Sequence, residues 1–517
     1  MFARNFAAAN VVAVPSANGR RVEAPDPGFF GFAGLTHYDQ RTAGTGVYAG
    51  TQYSLEPPDQ GLCVGNGLVM EPVNNALAVY TQGGALLRGP TPMNAFFGLA
   101  PEIVRPSGPY GPSLSDPRCY FDRDTQRWYV SELETGRNRV TGAATGEASQ
   151  FIAISQTADP KGAFNVLSFD TTDRGHPGCP CFGDQPLLGA DANGIYITTN
   201  EFPQFKAGFN GAQVYALSKI ALALGILPTV VHLDLGTIAT PDPAAGLWYS
   251  VQPATTPELR RDHQEQNGTE YFLSALDFFN RTDNRIATWS LTNTATLWNP
   301  RPSVKLAHVV IGSEAYGAPP NATQGPGPRP LGKSLDAPLE LLQTNDDRMN
   351  QVVFAQGRLW AGLNTALFAA GKLQAGSAFF AVEPSLAAGK LTAKVAYQGY
   401  VAVDGQNVIF PSIGVNGAGD AVLVSTLTGP AYYPSVAYVR LNRPNYNVRL
   451  AGKGVLPEDG FTGYPAYGGS GAARWGDYSA AVSDEHGNLW FAGEYIPGGS
   501  RTLLANWGTF VGELPAP

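Results

Sequence analysis

The sequence predicts an all-β chain, a seven-bladed β-propeller closed by strands from its two ends and carrying long loop insertions. Three observations predict it: a turn-rich composition, a strand-turn-strand segment that can be aligned seven times, and a pair of acidic or amide residues bracketing that segment. The 517 residues include Gly 61 and Pro 41 with only 15% charged residues, while β-branched and aromatic residues fill the runs between turns. Glycine and proline punctuate short strands, and β-branched and aromatic side chains suit their half-buried surfaces.

Residues 1–50 read as an N-terminal arm with a closing strand, and the repeats begin near Asp59, Asp116, Asp184, Asp262, Asp347, Asn407 and Asp477. Their turns are Asn66-Gly67, Asp124-Thr125, Asn193-Gly194, Asn267-Gly268, Gln356-Gly357, Ala418-Gly419 and His486-Gly487, most followed by Trp or Tyr within a few residues. Glycine supplies the positive φ that such hairpins need. The spacing, roughly 55 to 85 residues, exceeds a minimal four-stranded blade, so the excess is assigned to loops. Three insertions are expected: the polar stretch Thr135–Ser149, the compact corner His176–Cys181 and the Pro/Gly-rich stretch Ser313–Pro330. Leu503–Leu514 and Asn10–Val14 are expected to pair in one blade and close the ring, which protects sheet edges. Two β-sandwich domains divided near Ser313–Pro330 are the runner-up, but they leave the recurrence on both sides of the divide unexplained.

Net charge -8 gives no basic footprint for nucleic acid, which is bound through displaced counterions. No run of eighteen apolar residues is present, and Leu217–Leu227, the most helical-looking stretch, is too short to span a bilayer. The first twenty-one residues lack the charged and apolar regions of a secretory signal, which is therefore absent or already removed. Cys63 and Cys119 occupy similar places in successive repeats and are expected to form a disulfide. Cys179-Pro180-Cys181 could close a tight loop or pair otherwise; zinc is the competing reading, without a second CxxC or a spaced His pair to support it. The even cysteine count and few lysines lean towards an oxidising, extracellular setting.

Ser483–Trp490 (SDEHGNLW) resembles a degenerate Asp-box, the blade-turn motif of sialidases and other propellers, with Glu485 and Leu489 departing from it. The stretches PPDQGLCVGNG, LSDPRCYFD, FGDQPLLGADANGIYITTNEF, TNDDRMNQVVFAQGRLW, DGFTGYPAYG, RWGDYSAAV and RTLLANWGT resemble secreted bacterial propeller proteins of uncharacterised function. That resemblance covers most of the chain. It implies the fold and export, and it carries no activity over.

The acid pairs are Asp116 and Glu132, Asp184 and Glu201, Asp347 and Asn364, and Asp477 and Glu494, with a weaker copy at Asp59 and Asn75. Each pair should meet at one sheet edge, because a hairpin brings the start of its first strand beside the end of its second. Around an axis, Asp116, Asp184, Asp347 and Asp477 would then ring one mouth of the channel. Arg118, Arg261, Arg348 and Arg474 stand beside acids and could neutralise them or clamp an anionic ligand. A structural role competes: an Asp at a strand start commonly caps backbone N–H groups, and a residue repeated in every blade is more simply part of the blade.

Unequal blades sharpen the functional alternative. The sixth repeat has Asn407–Ser412 and the fourth Arg260-Arg261-Asp262-His263 where others have a clean acid. A glycosidase needs two carboxylates roughly 5 to 10 Å apart. Asp184 with Glu201 and Asp477 with Glu494 are the candidate catalytic pairs, Asp as nucleophile or base and Glu as acid. Trp475 and Tyr478 could stack on a sugar ring, or simply pack. The arginines would serve a sialidase-like site, though no motif fixes their geometry. Asp116, Asp184, Asp347 and Asp477 are also the candidate ligands of a Ca²⁺ ion in the channel. His37, His176, His232, His263, His308 and His486 lack ligand spacing and read as surface or satisfied residues, and no GxSxG, Walker or dinucleotide motif appears. Two functions follow: a secreted recognition or scaffold protein binding an extracellular glycan or protein at its acidic mouth, or a glycan-active enzyme, hydrolase rather than lyase, using a carboxylate pair there.

Overall fold

The computed structural model describes residues 12–240, 246–257, 259–276, 282–441 and 446–516, without the side chains of 259–261. Among these, the main strands group into seven four-stranded antiparallel units. Unit 1 comprises Cys63–Gly65, Leu68–Val73, Ala76–Thr81 and Leu86–Pro92; unit 2, Ser113–Asp122, Arg127–Arg137, Ala144–Ser155 and Phe164–Asp170. Unit 3 comprises Cys181–Ala190, Gly194–Pro203, Gly211–Ser218 and Val231–Asp234; unit 4, Gln252–Thr255, Thr269–Ala275, Thr282–Thr292 and Lys305–Gly317. Unit 5 comprises Val352–Ala355, Arg358–Ala369, Lys372–Ala387 and Lys390–Val401; unit 6, Asn407–Val415, Ala421–Gly429, Tyr432–Arg440 and Val448–Gly452. In unit 7, Ala480–Ser483, Leu489–Tyr495 and Gly508–Leu514 are completed by Phe30–Thr36 from the N-terminal arm.

The core lies between units. Tyr129, Ile152 and Ile154 of unit 2 pack against Leu188, Ile195 and Ile197 of unit 3, and comparable clusters join each unit to the next, including the last to the first. A sheet packed on both faces needs apolar residues on both, so Gly211–Ser218 and Asn407–Val415 are buried throughout. Outer strands such as Phe164–Asp170 are only half covered. First strands from all seven units contribute to the lining of one axial channel, among them Val64, Arg118, Leu188, Gln252, Val353, Val415 and Ala480. The fold is thus an all-β propeller, closed by the pairing of Phe30–Thr36 with Gly508–Leu514.

Asn10 and Val11 fall outside the described residues, and Val12–Val14 form no strand, so the closing strand lies further along the arm than expected. Its phenylalanines explain the choice: Phe32 packs on the unit 7 and unit 1 core, whereas Val12–Val14 offer no comparable aromatic. Unit 4 begins at Gln252 and not near Asp262, which lies in the helix Leu259–Gln266 inserted before the Asn267-Gly268 turn. Thr135–Ser149 is largely strand, a hairpin extended to a tip at 138–143, and Ser313–Gly317 continues a strand before the Pro-rich loop. The expected disulfide Cys63–Cys119 is present, and Cys179 pairs with Cys181, one of the alternatives the sequence leaves open.

At the far turns, Asp484 accepts backbone N–H bonds from His486 and Asn488 and the indole N–H of Trp490, each near 3 Å. Asp191 does the same for Asn193, Gly194 and the Tyr196 hydroxyl. One buried aspartate thus satisfies a hairpin turn that would otherwise leave its donors unpaired.

Candidate functional site at the channel mouth

The mouth is built by residues in the left-handed region before the first strands or early within them: Asp59, Asp116, Gln185, Ser250, Asn345 and Phe410 have φ between 45° and 62°. At Asp116, Gln185 and Phe410 the register slips by a bulge, and the next residue is Pro117, Pro186 or Pro411. A bulge is where a ladder hydrogen bond is missing, so proline's lack of an N–H is tolerated there.

Five backbone N–H groups here point at a neighbouring unit, where a short polar side chain accepts each. Asn74 Oδ1 takes the N–H of Asp116 at 2.7 Å, Asp116 Oδ2 that of Gln185 at 3.1 Å, and Asn200 Oδ1 that of Ser250 at 2.8 Å. Asn364 Oδ1 takes the N–H of Phe410 at 2.6 Å, and Asp59 Oδ1 that of Asp477 at 2.9 Å. These five latches join consecutive units around the ring, the last across its closure. Glu494 Oε2 caps Gly476 N at 2.8 Å within its own unit.

Asp59, Asp116 and Glu494 are buried and their carboxyls are pushed up, chiefly by loss of solvation, Asp59 to about 6. Asp184 is raised by burial and then by the charge of Asp477. Asp347 is fully buried. Glu132 is also fully buried with neither oxygen bonded, and its carboxyl is raised by burial and by Asp116.

The arginines distribute themselves among these acids. Arg348 pairs with Asp346 at 2.6 Å, donates to Gln185 and lies over the Tyr249 ring. Arg118 stacks on Tyr478, 3.3 Å from the ring centroid, and donates to Pro186 O. Tyr478 in turn donates to Pro117 O, and Arg118 is one of the residues that line the channel. Arg474 is 47% exposed and pairs with Asp477 at 2.9 Å, whose other oxygen accepts from Asn345. Arg261 lies in the helix Leu259–Gln266, with its side chain outside those described. Trp475 and Tyr478 are each 1% exposed, and the Trp475 indole donates to Thr426, so both rings are used in packing. Of the carboxylates expected to hold a channel Ca²⁺, Asp116 and Asp477 lie near the Arg474 guanidinium and Asp184 near those of Arg348 and Arg474.

The members of the two expected catalytic pairs take different partners. Asp184 stands opposite Asn200 in its hairpin, and its strongest charge neighbours are Asp477, Arg348 and Arg474. Glu201 faces away from them, into a corner with His176 Nδ1 at 3.0 Å and Asn210 Nδ2 at 2.6 Å. Burial lifts its carboxyl to about 7. Asp477 faces Arg474, whereas Glu494 faces the Gly476 backbone. Sequence reading missed the latches Asn74 and Asn200, each one position before the acid or amide it singled out, and the grouping of Asp173, His176 and Glu201. The signal for the latches was the Asp-Pro, Gln-Pro and Phe-Pro steps at the bulges.

No family model matches the chain, and no curated protein does. Solved structures with a similar fold include an exo-β-1,3-galactanase from Clostridium thermocellum, 10% identical over 75% of this chain and 76% of that one, TM-score 0.31. A protein of unknown function from Dyadobacter fermentans is 11% identical over 80% of this chain and 97% of its own, TM-score 0.36. Trypanosoma rangeli sialidase is 10% identical over 78% of this chain and 54% of its own, TM-score 0.36. No residue of the mouth is assigned from them.

Proposed function

We propose that this chain is an extracellular recognition protein that holds a glycan at its acidic channel mouth. One observation carries the reading: the buried acids Asp59, Asp116 and Glu494 are committed to backbone donors, while Arg474, Asp477 and Asn345 form a bonded polar group that reaches solvent. Glycan hydroxyls both donate and accept, so a fixed guanidinium, carboxylate and carboxamide suit them, and prior fixing reduces the ordering cost of binding. Arg118, which lines the channel, is held against the buried Tyr478 ring and is thereby committed to packing. Two disulfides fit an oxidising compartment, and among the described residues no helix is long and apolar enough to cross a membrane.

The test is equilibrium binding to a glycan panel by wild type, Arg474→Ala and Asp477→Asn. Saturable binding weakened at least tenfold by either substitution supports the reading; equal binding by all three contradicts it. A protein occupant would appear as no glycan binding at all.

A second reading, a glycan-active hydrolase, is favoured by Glu201 alone, whose carboxyl near 7 would suit a general acid. Glycan product release abolished by Glu201→Gln would establish it.

A further inference from the structure

The corner beside unit 3 stands apart from the mouth and does not depend on what binds there. After Asp170 the chain turns through 171–180 before re-entering the sheet at Cys181. His176 N–H bonds to Asp173 O at 2.8 Å, making a turn that places these two residues three apart at one edge. Cys181 N–H then bonds to Thr172 O at 2.8 Å, and the Cys179–Cys181 disulfide fixes the remainder. Glu201, at the end of the strand Gly194–Pro203, projects into this corner with its side chain 1% exposed.

Asp173, His176 and Glu201 each offer an atom within 4.8 Å of the others. His176 Nδ1 is 3.0 and 3.1 Å from the two Glu201 oxygens. Ligand atoms about 2.1 Å from a tetrahedral zinc lie roughly 3.4 Å apart, so small side-chain adjustments bring the three to bonding distance. One imidazole nitrogen with two carboxylates is a first-row divalent set; calcium would take oxygen alone.

The independent observation is the outer shell, in which each donor has a group that would orient it. Asn210 Nδ2 donates to Glu201 Oε1 at 2.6 Å, and the Tyr215 hydroxyl to Asp173 Oδ2 at 3.4 Å. Asp234 Oδ2 lies 3.8 Å from His176 Nε2, the ring nitrogen facing away from Glu201, while Asp234 Oδ1 accepts from Gln213 Nε2 at 3.0 Å and from the Gly236 N–H at 2.8 Å. A carboxylate behind a metal-ligating histidine fixes its tautomer and strengthens it as a ligand. His176 remains 28% exposed, leaving a path for an ion and for water as a fourth ligand.

From this geometry we propose that Asp173, His176 and Glu201 form a binding site for a divalent transition metal ion of the zinc class, with Asp234 orienting His176. The disulfide withholds the Cys179 and Cys181 sulfurs, so the set is nitrogen and oxygen. Glu201 is then a ligand, a role separable from general acid catalysis because metal binding needs no glycan.

The test is titration of metal-free, non-reduced protein with Zn²⁺ by calorimetry and with Co²⁺ by visible absorption. One ion per chain is expected, with affinity falling at least a hundredfold in His176→Ala and Asp173→Asn, about tenfold in Asp234→Asn, and unchanged in His486→Ala. His176 is partly exposed, so its variant should melt with wild type; the Co²⁺ spectrum of wild type, with bands of a low-coordinate nitrogen and oxygen site, needs no variant. Absence of saturable binding by wild type, or binding unaltered by His176→Ala, would overturn the assignment.

Discussion

Asp59 Oδ1 accepts the backbone N–H of Asp477 at 2.9 Å, so the first unit holds the last by the same kind of bond that joins neighbouring units elsewhere around the ring. Its other oxygen accepts from Asn74 Nδ2, and Asn74 latches the next unit through Asp116. Removing this carboxylate leaves the part-buried Asp477 N–H without its acceptor and Asn74 Nδ2 with Pro57 O alone, and an unsatisfied buried donor costs about 1–3 kcal/mol. Asp59→Ala should therefore lose about 2–4 kcal/mol in urea unfolding, part of it from the left-handed backbone at φ 48°, which alanine tolerates poorly. Asp59→Asn, which keeps an acceptor and tolerates that backbone, should lose less.

The two disulfides should differ in worth. Cys63–Cys119 closes a loop of sequence separation 56 and ties units 1 and 2, whereas Cys179–Cys181 has separation 2. Loop-closure entropy then predicts about 4 kcal/mol for the first and about 1–2 kcal/mol for the second. Unfolding of Cys63→Ser/Cys119→Ser and Cys179→Ser/Cys181→Ser measures the difference.

Stability should fall as pH rises through the weakly acid to neutral range. Glu71 is fully buried, and desolvation lifts its carboxyl to about 7 from 4.5 despite bonds from Leu35 N and Tyr80. Between the unfolded value and about 7, the folded state binds more protons than the unfolded, so stability is highest below about 4.5 for this group and declines towards 7. Asp59 at about 6 and Glu102 at about 7 act in the same sense. The slope is at most about 1.4 kcal/mol per pH unit per group. Urea midpoints at pH 5 and pH 8 should differ in that direction, and Glu71→Gln should flatten the difference.

The hairpins are legible because their turns carry similar chemistry: Asn193-Gly194 with Tyr196 and His486-Gly487 with Trp490 give similar local signals. Unit 4 was misplaced because Arg260-Arg261-Asp262-His263 carries the charge of a strand start, while tertiary packing makes Leu259–Gln266 a helix. The acid pairs were legible as neighbours in a hairpin, but alternation along a strand turns adjacent side chains to opposite faces. That is why Asn200 reaches Ser250 while Glu201 reaches His176. His176 carries no ligand spacing in the sequence because its partners Asp173, Glu201 and Asp234 come from a loop and two separate strands.

Arg118→Ala should widen the channel that Arg118 lines. Its guanidinium covers the Tyr478 ring at 3.3 Å, and its loss is expected to uncover that ring. Faster quenching of protein fluorescence by acrylamide, with little change in secondary structure, is the expected outcome.

The most direct test measures retained and released glycan together, incubating wild type, Arg474→Ala and Glu201→Gln with the same panel. Binding without product release, lost in Arg474→Ala and kept in Glu201→Gln, is the result expected of a recognition protein. Product release by wild type that disappears in Glu201→Gln would contradict it.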